Sequence, residues 1–222
     1  KEITEISGEK VLAGSEEVAS AKVILVTTRE ADLTALKDVN LEISDGNVVA
    51  NEKMQSSLKS VYVPGDVNGK NLLAHAAFKM GYIAASEIVE GKSDKYNNNI
   101  IPRAIYTYPE IGSVGLTEEE AKKSYDVKVG KFNYGANGRA LAHGDSSGMV
   151  KIISDARYGE ILGAHIVGPR ASELINEVSI LMQSEVIVEE AIKMVFGHPT
   201  FSEAIYEAIA DVEGVSVHLP KK

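Results

Sequence analysis

The chain has 222 residues, a formal net charge of −9, 44% hydrophobic residues and 25% charged residues. This composition fits one large domain or two small ones around a buried core, and the acidic balance argues against binding a polyanion through bulk charge. There is no cysteine, which excludes disulfide scaffolding, thiolate metal sites and a cysteine nucleophile supplied by these residues.

The opening reads as strands. Ile3 to Ile6 alternates apolar and polar, and Ala21 to Thr27 is rich in β-formers. Asp45-Gly46 is a turn signal between Leu41-Glu42-Ile43 and Val48-Val49. Val61-Tyr62-Val63 reads as a short buried strand stopping at Pro64-Gly65-Asp66. A helix should follow, because Leu72, Leu73, Ala76, Met80 and Ile83 recur at helical spacing and Gly91 stands at the end. Lys92 to Asn99 is polar and reads as a linker.

Beyond it the pattern shortens. Strands are expected over Ala104 to Thr107, Ser113 to Leu116, Val127 to Tyr134, Gly148 to Ser154 and Glu160 to Val167, with Ala156 to Gly159 as a hairpin turn. Helices are expected over Ala171 to Met182, Val188 to Val195 and Ser202 to Val212. Strands first and helices afterwards indicate an α+β domain, an antiparallel sheet with helices on one face. No apolar run approaches the roughly 18 residues of a membrane span. The 23 lysines and arginines are scattered rather than striped, so neither membrane nor nucleic acid is an expected partner. Lys1 to Ser7 does not resemble an export signal, and the expected location is cytoplasmic.

Two stretches carry chemistry. In His198-Pro199-Thr200-Phe201-Ser202-Glu203 the proline keeps His198 out of a continuing helix. Thr200 and Glu203 fit a capping box for the last helix, which leaves His198 as an ordinary loop residue. The sharper reading has Glu203 orient the imidazole, since a carboxylate partner fixes the tautomer a general base needs. In the second stretch, Gly65-Asp66 ends a strand before a helix start at Leu73, Ala74 and His75. That layout suits a ligand with hydroxyls and phosphates, although Gly-Asp turns are common in proteins that bind nothing. His75, His143, His165 and His218 show no metal-ligand spacing, and His165 reads as a satisfied strand residue. No dinucleotide or phosphate-loop glycine motif occurs.

Taken in order, seven stretches resemble the pyridine nucleotide–disulfide oxidoreductases. Leu73-Ala74-His75-Ala76 after Gly65-Asp66 looks like their flavin-contacting segment. Ile105 to Glu110 and Val114 to Glu118 look like the start of their dimerisation domain. Asn137-Gly138-Arg139-Ala140 with Gly144-Asp145, Gly159 to Gly163, and Gly168 to Leu174 fit the branch that oxidises dihydrolipoamide. His198 to Ala204 matches the C-terminal catalytic signature. The chain departs from the family pattern at Thr27-Thr28-Arg29, where the family commonly has a glycine, and at Phe196 ahead of the histidine.

The resemblance implies three parts: residues 1–30 as the tail of an NAD-binding domain, 31–96 as a central, partial α/β segment of the FAD-binding domain, and 97–222 as the interface domain. It implies the C-terminal portion of a longer enzyme in which electrons pass from dihydrolipoamide to a cysteine pair, then FAD, then NAD. His198 would be the base and Glu203 its holder, acting on the disulfide of a partner subunit, with Pro199 a candidate cis proline. Asp66 would accept from the flavin's ribityl chain, beside Gly65, and Leu73, Ala74 and His75 would offer N–H groups. Expected partners are a second copy, through 97–222, and the lipoyl-bearing proteins of 2-oxoacid dehydrogenase complexes. No metal is expected, and these 222 residues alone are expected to be inactive and to retain no flavin. A glutathione- or mercuric-reductase-type relative, or a non-catalytic dimerisation subunit of a split reductase, are the alternative readings.

Overall fold

The structure is a computed structural model describing residues 3–7, 10–19, 24, 26 and 28–219. A three-stranded antiparallel sheet comes first: β1 (Glu5–Ser7), β2 (Lys10–Ala13) and β3 (Glu16–Ala19). The strand expected over 21–27 lies largely outside the described residues. The Asp45-Gly46 turn joins β4 (Ile43–Ser44) to β5 (Asn47–Val48), and both turn residues have positive φ, 50° and 76°. That mirror-image turn matches the twist of a two-residue hairpin.

Val61-Tyr62-Val63 does not become a strand. It makes one bridge, between Gln55 and Tyr62, with the Ser56 N–H donating to Val61 O at 2.9 Å, and forms no longer ladder among the described residues. Val63 is buried all the same, and its N–H donates to Met54 O at 2.8 Å. Helix α1 (Ala74–Glu90) follows and ends where the N–H of Gly91, at φ 65°, donates to Glu87 O. Its Ala76, Met80, Ile83 and Ala84 pack with Met54 and Tyr96 in a small core.

The second half is one five-stranded antiparallel sheet. It contains β6 (Arg103–Ile105), β7 (Ile111–Gly115), β8 (Val127–Asn133), β9 (Met149–Asp155) and β10 (Ile161–Val167), in the order β6-β7-β10-β9-β8. Pleating sends Val150 and Ile152 to the main core and Ile153 to a smaller one on the other face. The ladder between β9 and β10 shifts between Ile161 and Gly163. The extra residue lets Ile161 and Ala164, three apart, share the main-core face while Leu162 serves the other.

Helices α4 (Ala171–Gln183) and α6 (Glu203–Val212) cover the main-core face, α4 over β6, β7 and β10 and α6 over β8 and β9. The short α2 (Glu118–Ala121) brings Ala121 to the opposite face and starts with a full capping box between Thr117 and Glu120. Helix α3 (Gly138–His143) follows β8. Helix α5 (Val188–Ala191) is shorter than the expected Val188–Val195. Lys193 and Met194 donate to residues three back, tightening the last turn before the chain unwinds towards Gly197.

The main apolar stripes of α4 and α6 face inward: Leu174, Ile175, Val178, Ile205, Ala208 and Ile209 are buried against the chain's own sheet. A two-helix layer matches the width of five strands and leaves those stripes nothing to expose. The apolar residues left open are others, including Ile180, Val195, Tyr106 and Tyr108.

Two glycines set the closeness of this packing. A Cβ on Gly130 would meet Ala208 O at 2.0 Å, and one on Gly112 would meet Ala171 O at 2.4 Å. Both obstacles are helix backbone and cannot swing aside. Gly130→Ala is therefore expected to cost about 1–3 kcal/mol, read as a lower urea midpoint at unchanged m-value; full stability in the variant would show that α6 can ride outward freely.

Candidate functional site

The segment between α5 and α6 turns through a cis peptide bond between His198 and Pro199. Glu203, the first residue of α6, meets it with both carboxylate oxygens. Oε1 lies 2.8 Å from His198 Nδ1, and Oε2 accepts the Thr200 N–H at 2.8 Å. A carboxylate can only accept, so Nδ1 carries the proton and Nε2 of a neutral ring is left as the free lone pair. The His198 side chain is 77% exposed while that of Glu203 is 21% exposed. The ring is thus held from behind and open in front.

Only half of the expected capping box forms. Glu203 does accept from the Thr200 backbone, but the Thr200 hydroxyl donates to Gly197 O at 2.6 Å and caps nothing. Ser202, the N-cap residue of α6, supplies no side-chain cap, and its hydroxyl donates to Glu177 Oε1 at 2.7 Å. The hydroxyl that the sequence pattern assigns to a helix end instead closes the histidine loop on itself.

Three features around this loop escape the sequence reading. Asn137, 3% exposed, donates from Nδ2 to Thr200 O at 3.0 Å while its Oδ1 accepts the Ala140 N–H at the start of α3. Phe201 is buried edge-on between Tyr134 and His143, with ring centroids 6.1 and 5.7 Å away. The third is a second histidine–carboxylate pair, His218 Nδ1 to Glu207 Oε1 at 2.8 Å, one helical turn along α6. Asn137 was legible only as part of a motif. The spacing of Glu203 and Glu207, four apart on one helix face, was the available signal for the third.

Burial pushes the Glu203 carboxyl up, but the Thr200 N–H, His198 and the nearby His218 outweigh it and hold the group below the usual carboxylate range. Glu207 follows the same pattern. Burial pushes it up, and donors from Ser216 and His218 bring it below its ordinary value.

The Gly65-Asp66 group lies elsewhere, and none of its residues lines the concavity around His198. Gly65 has φ 90°, and a Cβ there would touch Ala77 Cβ at 3.5 Å. Asp66 Oδ2 takes the Arg29 guanidinium at 3.0 Å. Leu73 is extended ahead of α1, so Ala74 and His75 sit in the uncapped first turn. His75 Nε2 donates to Pro102 O at 2.7 Å, which commits its side chain to the chain's own backbone. His165 Nε2 donates to Leu116 O at 3.1 Å, as a satisfied strand residue should. Among the described residues no cluster could hold a metal ion, and no helix is long and apolar enough to cross a membrane.

Comparison with known proteins gives a consistent result. A family model described as "pyridine nucleotide-disulphide oxidoreductase, dimerisation domain" matches residues 101–209, and one described as "pyridine nucleotide-disulphide oxidoreductase" matches 1–81. A dihydrolipoyl dehydrogenase of Bacillus subtilis is 39% identical over 184 residues, 82% of this chain and 40% of that protein. One from Thermus scotoductus is 37% identical over 216 residues, 95% of this chain and 46% of that protein. The chain therefore spans less than half the length of these relatives. Among solved structures, LpdA from Mycobacterium tuberculosis has a TM-score of 0.75 at 24% identity over 80% of this chain and 39% of its own. The flavoprotein disulfide reductase RclA from Escherichia coli has a TM-score of 0.82 at 22% identity over 91% of this chain and 47% of its own, a likeness of fold.

Because Glu203 and Glu207 titrate lower folded than unfolded, their contribution is complete above the unfolded carboxyl range. It is lost as pH falls through their folded values. Between about pH 6 and about pH 3 the urea midpoint should fall less steeply in Glu207→Gln than in the wild type. An equal slope would remove Glu207 from the acid limb.

Proposed function

Because the chain belongs to the pyridine nucleotide–disulfide oxidoreductase family, we propose that it supplies the base and the dimer interface of a dihydrolipoyl dehydrogenase. That enzyme transfers electrons from dihydrolipoamide to NAD. The observation that carries this is the His198–Glu203 contact of 2.8 Å behind an open imidazole face. It occurs in a chain 39% identical to a dihydrolipoyl dehydrogenase.

In this reading His198 Nε2 takes the proton of a substrate thiol, which frees the thiolate to act as nucleophile. Glu203 holds Nδ1–H, keeps the tautomer fixed and stabilises the imidazolium that forms. The Thr200 N–H and Asn137 hold that carboxylate and loop in place. The accepting disulfide comes from residues outside this chain, which has no cysteine.

The flavin-side residues fit the group assigned to them. Gly65 leaves the space a side chain would fill beside Ala77. Asp66 has one carboxylate oxygen paired with Arg29 and the other available to a ribityl hydroxyl. The first turn of α1, at Leu73, Ala74 and His75, has no side-chain cap, which suits its leading N–H groups to a flavin. FAD, when bound, supplies the two-electron acceptor. NAD is proposed for the whole enzyme, since no nicotinamide-binding glycine motif occurs in these residues.

The same proposal divides the chain at about residues 30 and 96, makes lipoyl-bearing proteins the substrate carriers and sets the activity in the cytoplasm. It pairs the chain with a second copy through residues 97–222. Exposed Ile180, Val195, Tyr106 and Tyr108 supply apolar area for that contact.

Two measurements test it. Joined to the complementary N-terminal portion of the Thermus scotoductus relative, the chain should oxidise dihydrolipoamide with NAD. His198→Gln should lower turnover there by about 100-fold or more with flavin retained; undiminished turnover would remove His198 as the base. Light scattering of the 222-residue chain at micromolar concentration should return a dimer, and a monomer mass would refute the interface.

A further inference from the structure

The turn that carries Gly65 and Asp66 rests on sulfur. Gly65 has φ 90° and ψ −161°, a region of backbone space that is essentially glycine's own. In that conformation its N–H donates to Met80 Sδ of α1 at 3.2 Å. The side chain of Asn68, a residue only 7% exposed, points the same way. Its amide donates to Val63 O at 2.7 Å and also faces Met80 Sδ at 3.4 Å and Met54 Sδ at 3.6 Å. A thioether is a weak acceptor, but both methionines are fully buried, and there a weak partner is far better than none. Met54 itself holds φ 65°, which a methionine seldom adopts, at the point where its carbonyl takes the Val63 N–H and its sulfur meets Asn68.

The remaining bonds of the turn are internal. The Asn68 N–H closes on Gly65 O at 3.2 Å and the Gly69 N–H on Asp66 O at 3.0 Å. Asn68 Oδ1 takes the Lys70 N–H at 2.9 Å. The turn is thus fastened at its first residue, Gly65, and at Asn68 to one side chain of α1. Asp66 stands between those two points with its side chain 43% exposed. The same helix begins at Ala74, so the sulfur that seats the turn and the N–H groups of the helix start belong to one rigid element.

We propose that Met80 is a positioning residue of the flavin side: its thioether takes the Gly65 N–H and, with Met54, the Asn68 amide, and so fixes the Asp66 carboxylate relative to the start of α1. A ligand with hydroxyls at Asp66 and a ring or phosphate at the helix start needs both at a set separation. The proposal rests on reading Gly65-Asp66 and Leu73 to His75 as the flavin-side residues.

The test compares two variants. Met80→Leu keeps the bulk and removes the acceptor; Ile83→Val loosens the same small core and concerns no acceptor. The first readout is hydrogen exchange of the Gly65 amide in the 222-residue chain without flavin, taken relative to the α1 amides. Met80→Leu should speed it by about 10-fold, and Ile83→Val should leave the ratio in place. The second readout is the chimera with the Thermus scotoductus portion. There Met80→Leu should weaken FAD binding by about 3–10-fold with the KM for dihydrolipoamide unaltered, and Ile83→Val should not. Unchanged Gly65 exchange in Met80→Leu, or an equal loss of FAD affinity in Ile83→Val, would overturn the proposal. Should Met80→Leu fail to fold, the wild type decides: replacing methionine with selenomethionine must move the Gly65 amide proton signal, and an unmoved signal overturns the proposal. A chimera that binds no flavin with its native residues would sink the dehydrogenase reading instead, and the exchange measurement would still decide whether Met80 holds the turn.

Discussion

The second half of the molecule is organised by how closely α6 lies on its sheet. With no side chain at Gly130, the backbone of α6 rests against β8, near enough that any Cβ would strike Ala208 O. That closeness buries nearly every side of the helix, including Glu207. A helix seated this deeply cannot adjust its rotation to suit its polar residues, so partners must come to them. The loop before α6 and the segment after it both bend back to do so. The histidine loop and the C-terminal segment are shaped by what two carboxylates on one buried helix require.

Asn137 shows the same logic from the sheet side. It caps α3 with its oxygen and holds Thr200 with its nitrogen, so one buried amide joins the end of β8 to the loop carrying His198. Phe201 fills the space beneath, wedged against Tyr134 and His143. Polar and apolar contacts converge from separate elements on a loop that has no regular structure of its own, which is how an irregular segment acquires a defined geometry.

Much of this was legible in the residues. The five strands after residue 100 and the helices behind them followed from short alternating runs and 3.6-residue periodicity, and the Asp45-Gly46 hairpin from its dipeptide. Val61-Tyr62-Val63 misled because β-propensity reports a side chain's fit to a buried surface and says nothing of whether a partner strand exists. The capping box at Thr200 misled because a hydroxyl has more than one acceptor in reach, and the Gly197 carbonyl won. The box that does form, Thr117 to Glu120, begins inside the Val114 to Glu118 stretch that carries the resemblance and ends beyond it. The spacing of Glu203 and Glu207 marks the acid of the second pair but not its histidine, His218. Its partner is eleven residues away and under a helix, and pairings of that kind depend on how the tail folds back.

The bond that fixes His198 also imposes an order of events. With Nδ1 occupied by Glu203, every proton this ring receives must enter at Nε2 and leave by the same atom. The route out is the route in, through the face that a substrate would cover. In the proposed reading the ring would take a substrate's proton at that atom and release it by the same one, and the shallow, solvent-facing seat of the imidazole would keep that single route open.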